Sequence, residues 1–285
     1  MRTTIPLFDG LALGIDDGSA GGEARPNEGR GYPTARLQKG LLLLDGHQEL
    51  AQEGVGFGVP ILKRGAQTIF PGRVELAGRR EGPVWEVTAA FGMNLVERLA
   101  RPGGRSLQSG ALYAAKDSLA ALHRRSPPLR GVLTAASAAV RRVSGWDTTF
   151  EEARLWATLT VTHTLHGAEG RVGVVVDLTG LSADGVTEVV VMNEQGAGHF
   201  DRYEDSDGTT LRGRDIGTWN EVTAATASFV SAAHRVAFSL GQVEGATLHR
   251  GRELIGSRVA WSGFGYSVPP TLQRFAYSVR IERTR

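Results

Sequence analysis

Glu194, His199, Asp201 and Tyr203 fall within the eleven residues 193–203, NEQGAGHFDRY. A carboxyl group, an imidazole and a second carboxylate in one short segment are the components of general acid–base chemistry, in which one group gives a proton, another takes it and a third orients the second. Gly196 and Gly198 give the backbone freedom to double back, and a loop of this kind after a buried strand is where functional side chains are commonly carried. The expected catalytic set is therefore Glu194, His199 and Asp201. In extended backbone His199, Asp201 and Tyr203 share a face, which makes Tyr203 a candidate ligand contact. A solvated polar loop is the plainer reading of the same residues. No GxSxG elbow is present to set a serine beside a base.

Other titratable clusters point less clearly to chemistry. His163 and His166 are spaced HxxH, but on a strand residues three apart face opposite sides, so the two imidazoles diverge. His163 falls on an apolar face and reads as a core histidine; His166 lies at a strand end. Asp205-Ser206-Asp207-Gly208 has glycine at the fourth place and Ile216 at the twelfth, which does not fit a calcium loop and does fit an Asp-Gly turn. No metal site and no cofactor is expected. Gly56 and Gly58 have no helix after them, so bulges or close sheet packing account for them better than a phosphate loop.

Thr158, Thr160, Thr162 and Thr164 line one side of a strand that begins near Trp156. Threonine is a good solvent-facing strand former. The same face could also hydrogen-bond sugar hydroxyls while an indole stacks on the ring, so Trp156 and Trp219 are candidate ligand-stacking residues.

Charge is unevenly placed. Residues 98–146 hold nine Arg or Lys against the single acid Asp117, a local +8 that leaves −6 for the remainder of a chain whose net charge is +2. Arg124, Arg125 and Arg130 are the candidate contacts here, either for an anionic ligand or for an acidic protein partner or a second copy of the chain. Aromatic residues are sparse in this segment, which argues against nucleic acid. Absence of cysteine rules out a disulfide framework and a cysteine nucleophile, and with no secretory signal this favours a cytoplasmic, bacterial-type protein. No apolar run reaches a membrane span.

The elements that must position these groups are mostly strands. Residues 154–195 hold three β-rich runs with two glycine-bearing turns. In the first, Leu155, Ala157, Leu159, Val161, His163 and Leu165 form the apolar side; the second (172–178) and third (186–192) are apolar on both faces, as in covered sheet. Residues 84–95 predict one long strand with Trp85, Val87, Ala89 and Phe91 inward, after a bend at 69–72. Residues 219–240 predict a return to strand in which Val230, Ala232, His234, Val236, Phe238 and Leu240 share one face, and 258–268 and 272–281 predict the closing strands. Residues 16–32 read as a loop. Residues 106–143 differ: helical spacing up to Ser126-Pro127-Pro128 predicts a helix or helical hairpin inserted between two β regions, with 131–143 open to strand as well.

The predicted fold is mainly β, a large antiparallel sandwich or supersandwich forming a single domain over 1–285, with a small helical insertion. In outline this is similar to galactose-mutarotase-like supersandwiches and related carbohydrate-acting proteins, a likeness of architecture that carries no motif residue. It implies a small-molecule or polysaccharide sugar in a groove on the sheet. The alternative is a non-catalytic binding or assembly module that docks through the arginine-rich insertion.

Overall fold

The computed structural model describes residues 2–16, 38–51, 54–65, 67–100, 147–181, 185–255 and 258–284. The helical insertion expected at 106–143, with Arg124, Arg125 and Arg130, lies outside the described residues, as does nearly all of the loop expected at 16–32.

Among the described residues eighteen strands run in chain order: β1 (Arg2–Pro6), β2 (Leu11–Asp16), β3 (Leu41–Asp45), β4 (Gln48–Glu49), β5 (Gly56–Arg64), β6 (Gln67–Glu81), β7 (Val84–Ala100), β8 (Asp147–His166), β9 (Arg171–Asp177), β10 (Glu188–Gly196), β11 (Arg202–Asp205), β12 (Thr210–Arg212), β13 (Asn220–Glu221), β14 (Thr226–Ser231), β15 (Val236–Gly241), β16 (Thr247–Ile255), β17 (Arg258–Val268) and β18 (Arg274–Arg283). Among the described residues the helical turns are short 3-10 pieces such as Gly167–Glu169, and no helix is long and apolar enough to cross a membrane.

All pairings are antiparallel and they form two facing layers. The first runs β12-β11-β14-β15-β18-β9-β8-β7-β6; the second runs β1-β2-β3-β5-β10-β17-β16-β13. Strand β6 turns the corner. Its first residues pair with β5 across the Gly65 hairpin, and the register then shifts around Pro71 before the long ladder to β7. Proline has no N–H to donate, so a ladder broken there loses little.

Between the layers lies one apolar core. Tyr266 of β17 packs edge-on against Phe275 of β18, and Phe238 of β15 meets Phe57 of β5 and Phe264 of β17. Alternation in β7 is as predicted, with Val87, Ala89 and Phe91 fully buried. Polar bridges also cross the core. The Tyr277 hydroxyl donates to Asn193 Oδ1 at 2.7 Å, and that oxygen also accepts from Gly58 N at 3.2 Å. His163, 1 % exposed, places Nε2 3.2 Å from the Phe57 carbonyl. Its ring occupies the space a side chain at position 58 would need: a Cβ there would lie 2.5 Å from Nε2, and Gly58 holds a φ of +79°. Glycine is required on both counts.

Three predicted details change. Leu155 is 43 % exposed, because β8 carries extra residues opposite the Met93–Leu95 register shift, which rotates the start of the strand out of phase. The third β run does not continue the meander: β9 pairs with β8 and β18, whereas β10 crosses to the other layer, between β5 and β17. Residues 230–240 are not one strand; residues 232–235 form a turn, with Arg235 at φ +49°, so His234 sits at the tip of the β14–β15 hairpin. Period-two spacing persists through a tight hairpin by coincidence, and so alternation alone could not reveal the break.

Candidate functional site

Residues directly opposite one another in antiparallel strands point to the same side. On β10, Asn193 and Gln195 point into the core, so Glu194 points to the outer side of its layer. Opposite Glu194 is Gly263 of β17, and opposite that is Gly251 of β16; one step along, Met192, Gly265 and His249 align. Gly251, Gly263 and Gly265 thus form a floor without side chains.

Two indoles use this clearance. Trp219, just before β13, stacks on His249 with ring centroids 4.9 Å apart and planes 16° from parallel, and it reaches over Gly265, where a Cβ would lie 2.2 Å from the ring. Trp261 reaches over Gly251, where a Cβ would lie 2.6 Å from its ring, and its Nε1 donates to Glu253 Oε2 at 3.2 Å. A Cβ would also lie 2.2 Å from the Thr218 carbonyl at Gly251 and 2.1 Å from the Asn193 carbonyl at Gly263, so the indoles and neighbouring backbone together cover the strip.

Glu194 is 5 % exposed at the edge of this floor. Burial pushes its carboxyl up to about 8; the Val55 backbone hydrogen bond opposes the shift, and repulsion from Glu253 adds to it. At neutral pH Glu194 therefore carries its proton. A protonated carboxyl beside a second carboxyl group is the arrangement in which one acts as acid and the other as base, since their environments set them apart.

A second polar constellation gathers where several turns meet. Arg283 at the end of β18 donates from Nη2 to Asp45 Oδ1 at 2.8 Å and from Nη1 to the His234 carbonyl at 2.7 Å. Asp45 Oδ2 lies 3.0 Å from His234 Nδ1, and His234 Nε2 lies 3.1 Å from His199 Nδ1. The Arg283 hydrogen bond, helped by His234, holds the Asp45 carboxyl below the usual carboxylate range against the opposing effect of burial. Burial, followed by repulsion from His234, lowers His199.

The three residues expected to act together are thus aimed at three surroundings. Glu194 meets the glycine floor and Glu253, His199 meets His234, and Asp201 lies near Arg252, whose Nη2 donates to the Ala197 carbonyl at 2.9 Å. Trp219 stands at the floor. Trp156 stands on the other layer, with the guanidinium groups of Arg64 and Arg154 4.4 and 4.3 Å from its ring. Tyr203 is fully buried, its hydroxyl bonded to Asp205 at 2.9 Å and Arg250 over its ring, so it offers no face to a ligand. Sequence reasoning missed Glu253, Trp261, Asp45, His234 and Arg283. The run WSGFGY (261–266), with glycine at alternate places, was the signal available for the floor; the turn cluster had none, because its members are far apart in the chain.

The architecture is an antiparallel β supersandwich with an acidic, indole-flanked face. No family model and no curated protein matches the sequence. Among solved structures the chain is similar to the alpha-N-acetylgalactosaminidase NagBb from Bifidobacterium bifidum in its Gal-NHAc-DNJ complex, with a TM-score of 0.51 and 10 % identity, covering 99 % of this chain and 36 % of that one. The chain spans about a third of the length of that enzyme, and likeness at this identity is one of fold.

Proposed function

We propose that this protein binds a carbohydrate against the indoles of Trp219 and Trp261, which cover the glycine strip, and processes it with Glu194 and Glu253. The observation that carries the reading is the buried, protonated Glu194 beside a glycine strip that two indoles cover. Pyranose rings present flat C–H faces that suit Trp219 and Trp261, which the glycines allow to lie close against the sheet. Glu194 donates its proton to the bridging oxygen as that oxygen leaves. Glu253 takes a proton from the attacking water, so the proton count balances. Of the residues singled out from sequence, Glu194 and Trp219 keep their roles; His199 and Asp201 tie down the loop that leaves β10. The sugar-processing title of the structural neighbour agrees with this reading and does not define the substrate.

The test is calorimetric titration and hydrolysis assays over a panel of neutral oligosaccharides. Trp219→Ala and Trp261→Ala each weaken binding at least about tenfold with the melting temperature little changed. Glu194→Gln binds but does not turn over. If no sugar binds the wild type, or if binding survives both tryptophan substitutions, the proposal is wrong; if sugars bind without turnover, the face is a binding site alone.

A further inference from the structure

Strand β6 leaves one long edge open. Its ladder to β7 occupies one side. On the other side β5 pairs with its first residues, and Gln38 donates from N to the Pro71 carbonyl at 3.2 Å and from Nε2 to the Gly72 carbonyl at 3.1 Å. From Arg73 to Glu81 that side has no partner among the described residues. Backbone N–H and C=O groups of alternate residues face outward there, ready to pair with a further strand. We infer that the strand this edge accepts is β6 of a second copy of the chain, joined antiparallel about a two-fold axis at Ala77.

Charge selects the register. Directly opposed residues of antiparallel strands share a face, so the axis relating two copies of one strand passes through a residue and not between two. With the axis at Ala77, Glu75 opposes the second copy's Arg79 and Arg73 opposes its Glu81, and symmetry repeats both pairs. An axis at Leu76 sets Arg73 against Arg79, and one at Gly78 sets Glu75 against Glu81. An axis at Glu75 or at Arg79 sets that residue against itself. Like charges directly opposed destabilise a strand pair, so one register remains that uses the whole open stretch. The same charges turn away strands of other sequence.

Side chains on both faces suit this pairing. Arg79 Nε donates to Glu86 Oε1 at 3.0 Å and its Nη1 lies 3.2 Å from Glu81 Oε1, which leaves Nη2 for the second copy's Glu75. On the inner face Val74 and Leu76 are half-buried against the core, whereas Gly78 is exposed and a Cβ there would meet only the Glu86 carbonyl, 4.0 Å away. Leu76 opposes the second copy's Gly78, so each leucine enters a place no side chain fills. Pairing over 73–81 forms about eight to ten backbone hydrogen bonds and one sheet continuous across two chains. A contact of this extent makes a reversible dimer.

Sedimentation of the full chain across the micromolar range tests the pairing: the mean mass rises with concentration toward twice that of the monomer. Glu75→Arg and Arg79→Glu each set two like-charged pairs across the axis and weaken association at least about tenfold. Mixing the two variants restores it, because one then presents only positive charge at these positions and the other only negative. The chain has no cysteine, so Ala77→Cys supplies a lone thiol at the axis. Opposed Cα atoms lie about 4.5–5.5 Å apart, within disulfide reach, whereas the Cα atoms of the two copies at position 75 lie about 14 Å apart. Mild oxidation therefore links Ala77→Cys into dimers and leaves Glu75→Cys unlinked. A wild type that stays monomeric through this range, association untouched by the charge variants, or equal linking at positions 75 and 77 overturns the proposal. If a charge variant fails to fold by circular dichroism, the two cysteine variants decide.

Discussion

Glu194→Gln should make the protein more stable above neutral pH while leaving it inactive. The Glu194 carboxyl, ordinarily near 4.5, is raised to about 8, mainly by burial. Between those values the native state holds a proton that the unfolded chain has released, so wild-type stability falls as pH rises through this window. The full span of about 3.5 pH units at about 1.4 kcal/mol each comes to roughly 5 kcal/mol. Glutamine has nearly the shape of the protonated acid, can accept the Val55 N–H bond and does not ionise. The variant's advantage should therefore grow from about 1 kcal/mol at pH 5 to about 4 kcal/mol at pH 8. Urea unfolding at pH 5, 6, 7 and 8 reads this directly. A stability difference independent of pH would refute the reasoning, because it would mean that Glu194 is not held protonated by the fold. A gain in stability coupled to lost turnover is the pattern expected where a buried carboxyl is kept for chemistry and not for packing.

His163 should produce the opposite slope at lower pH. Burial depresses it to about 4, so the unfolded chain takes up its proton near 6.5 before the native state does, and about 3 kcal/mol is lost on acidifying across that window. His163→Gln, which can still donate to the Phe57 carbonyl, should flatten this acid limb in unfolding titrations; an unchanged limb would assign it elsewhere. Gly58→Ala should cost about 3 kcal/mol, combining a left-handed backbone with a methyl group driven into the His163 ring. A change under 1 kcal/mol in a urea midpoint would show that the ring is free to move aside.

Much of the layered fold could be read from the amino-acid pattern. Val87, Ala89 and Phe91 alternate in a strand whose two faces see different surroundings, and His163, on the apolar side of the next strand, is buried between the layers as that pattern requires. The failures share a cause. Leu155 obeys the alternation and is nevertheless exposed, since a register shift opposite Asn94 adds residues that no local pattern announces. His234 also fits an alternation, yet it lies at a hairpin tip. Of the proposed site, Glu194 and Trp219 were already candidates from sequence because each sits beside an evident strand. Glu253 and Trp261 were not, because their relation to Glu194 comes through the pairing of β10 with β17 and β17 with β16, which is decided by tertiary contacts and not by neighbours in the chain.

The crossing of β10 from one layer to the other has a kinetic consequence. It is zipped between residues 56–64, more than a hundred positions earlier, and residues 258–268, some seventy later. Neither partner can be recruited until a long stretch of chain has been closed into a loop, and the entropy of that closure must be met before any contact repays it. Refolding from denaturant should accordingly be slow, with a lifetime of seconds or longer, and the exposed edges of the waiting strands set the interval in which the chain is most prone to aggregate.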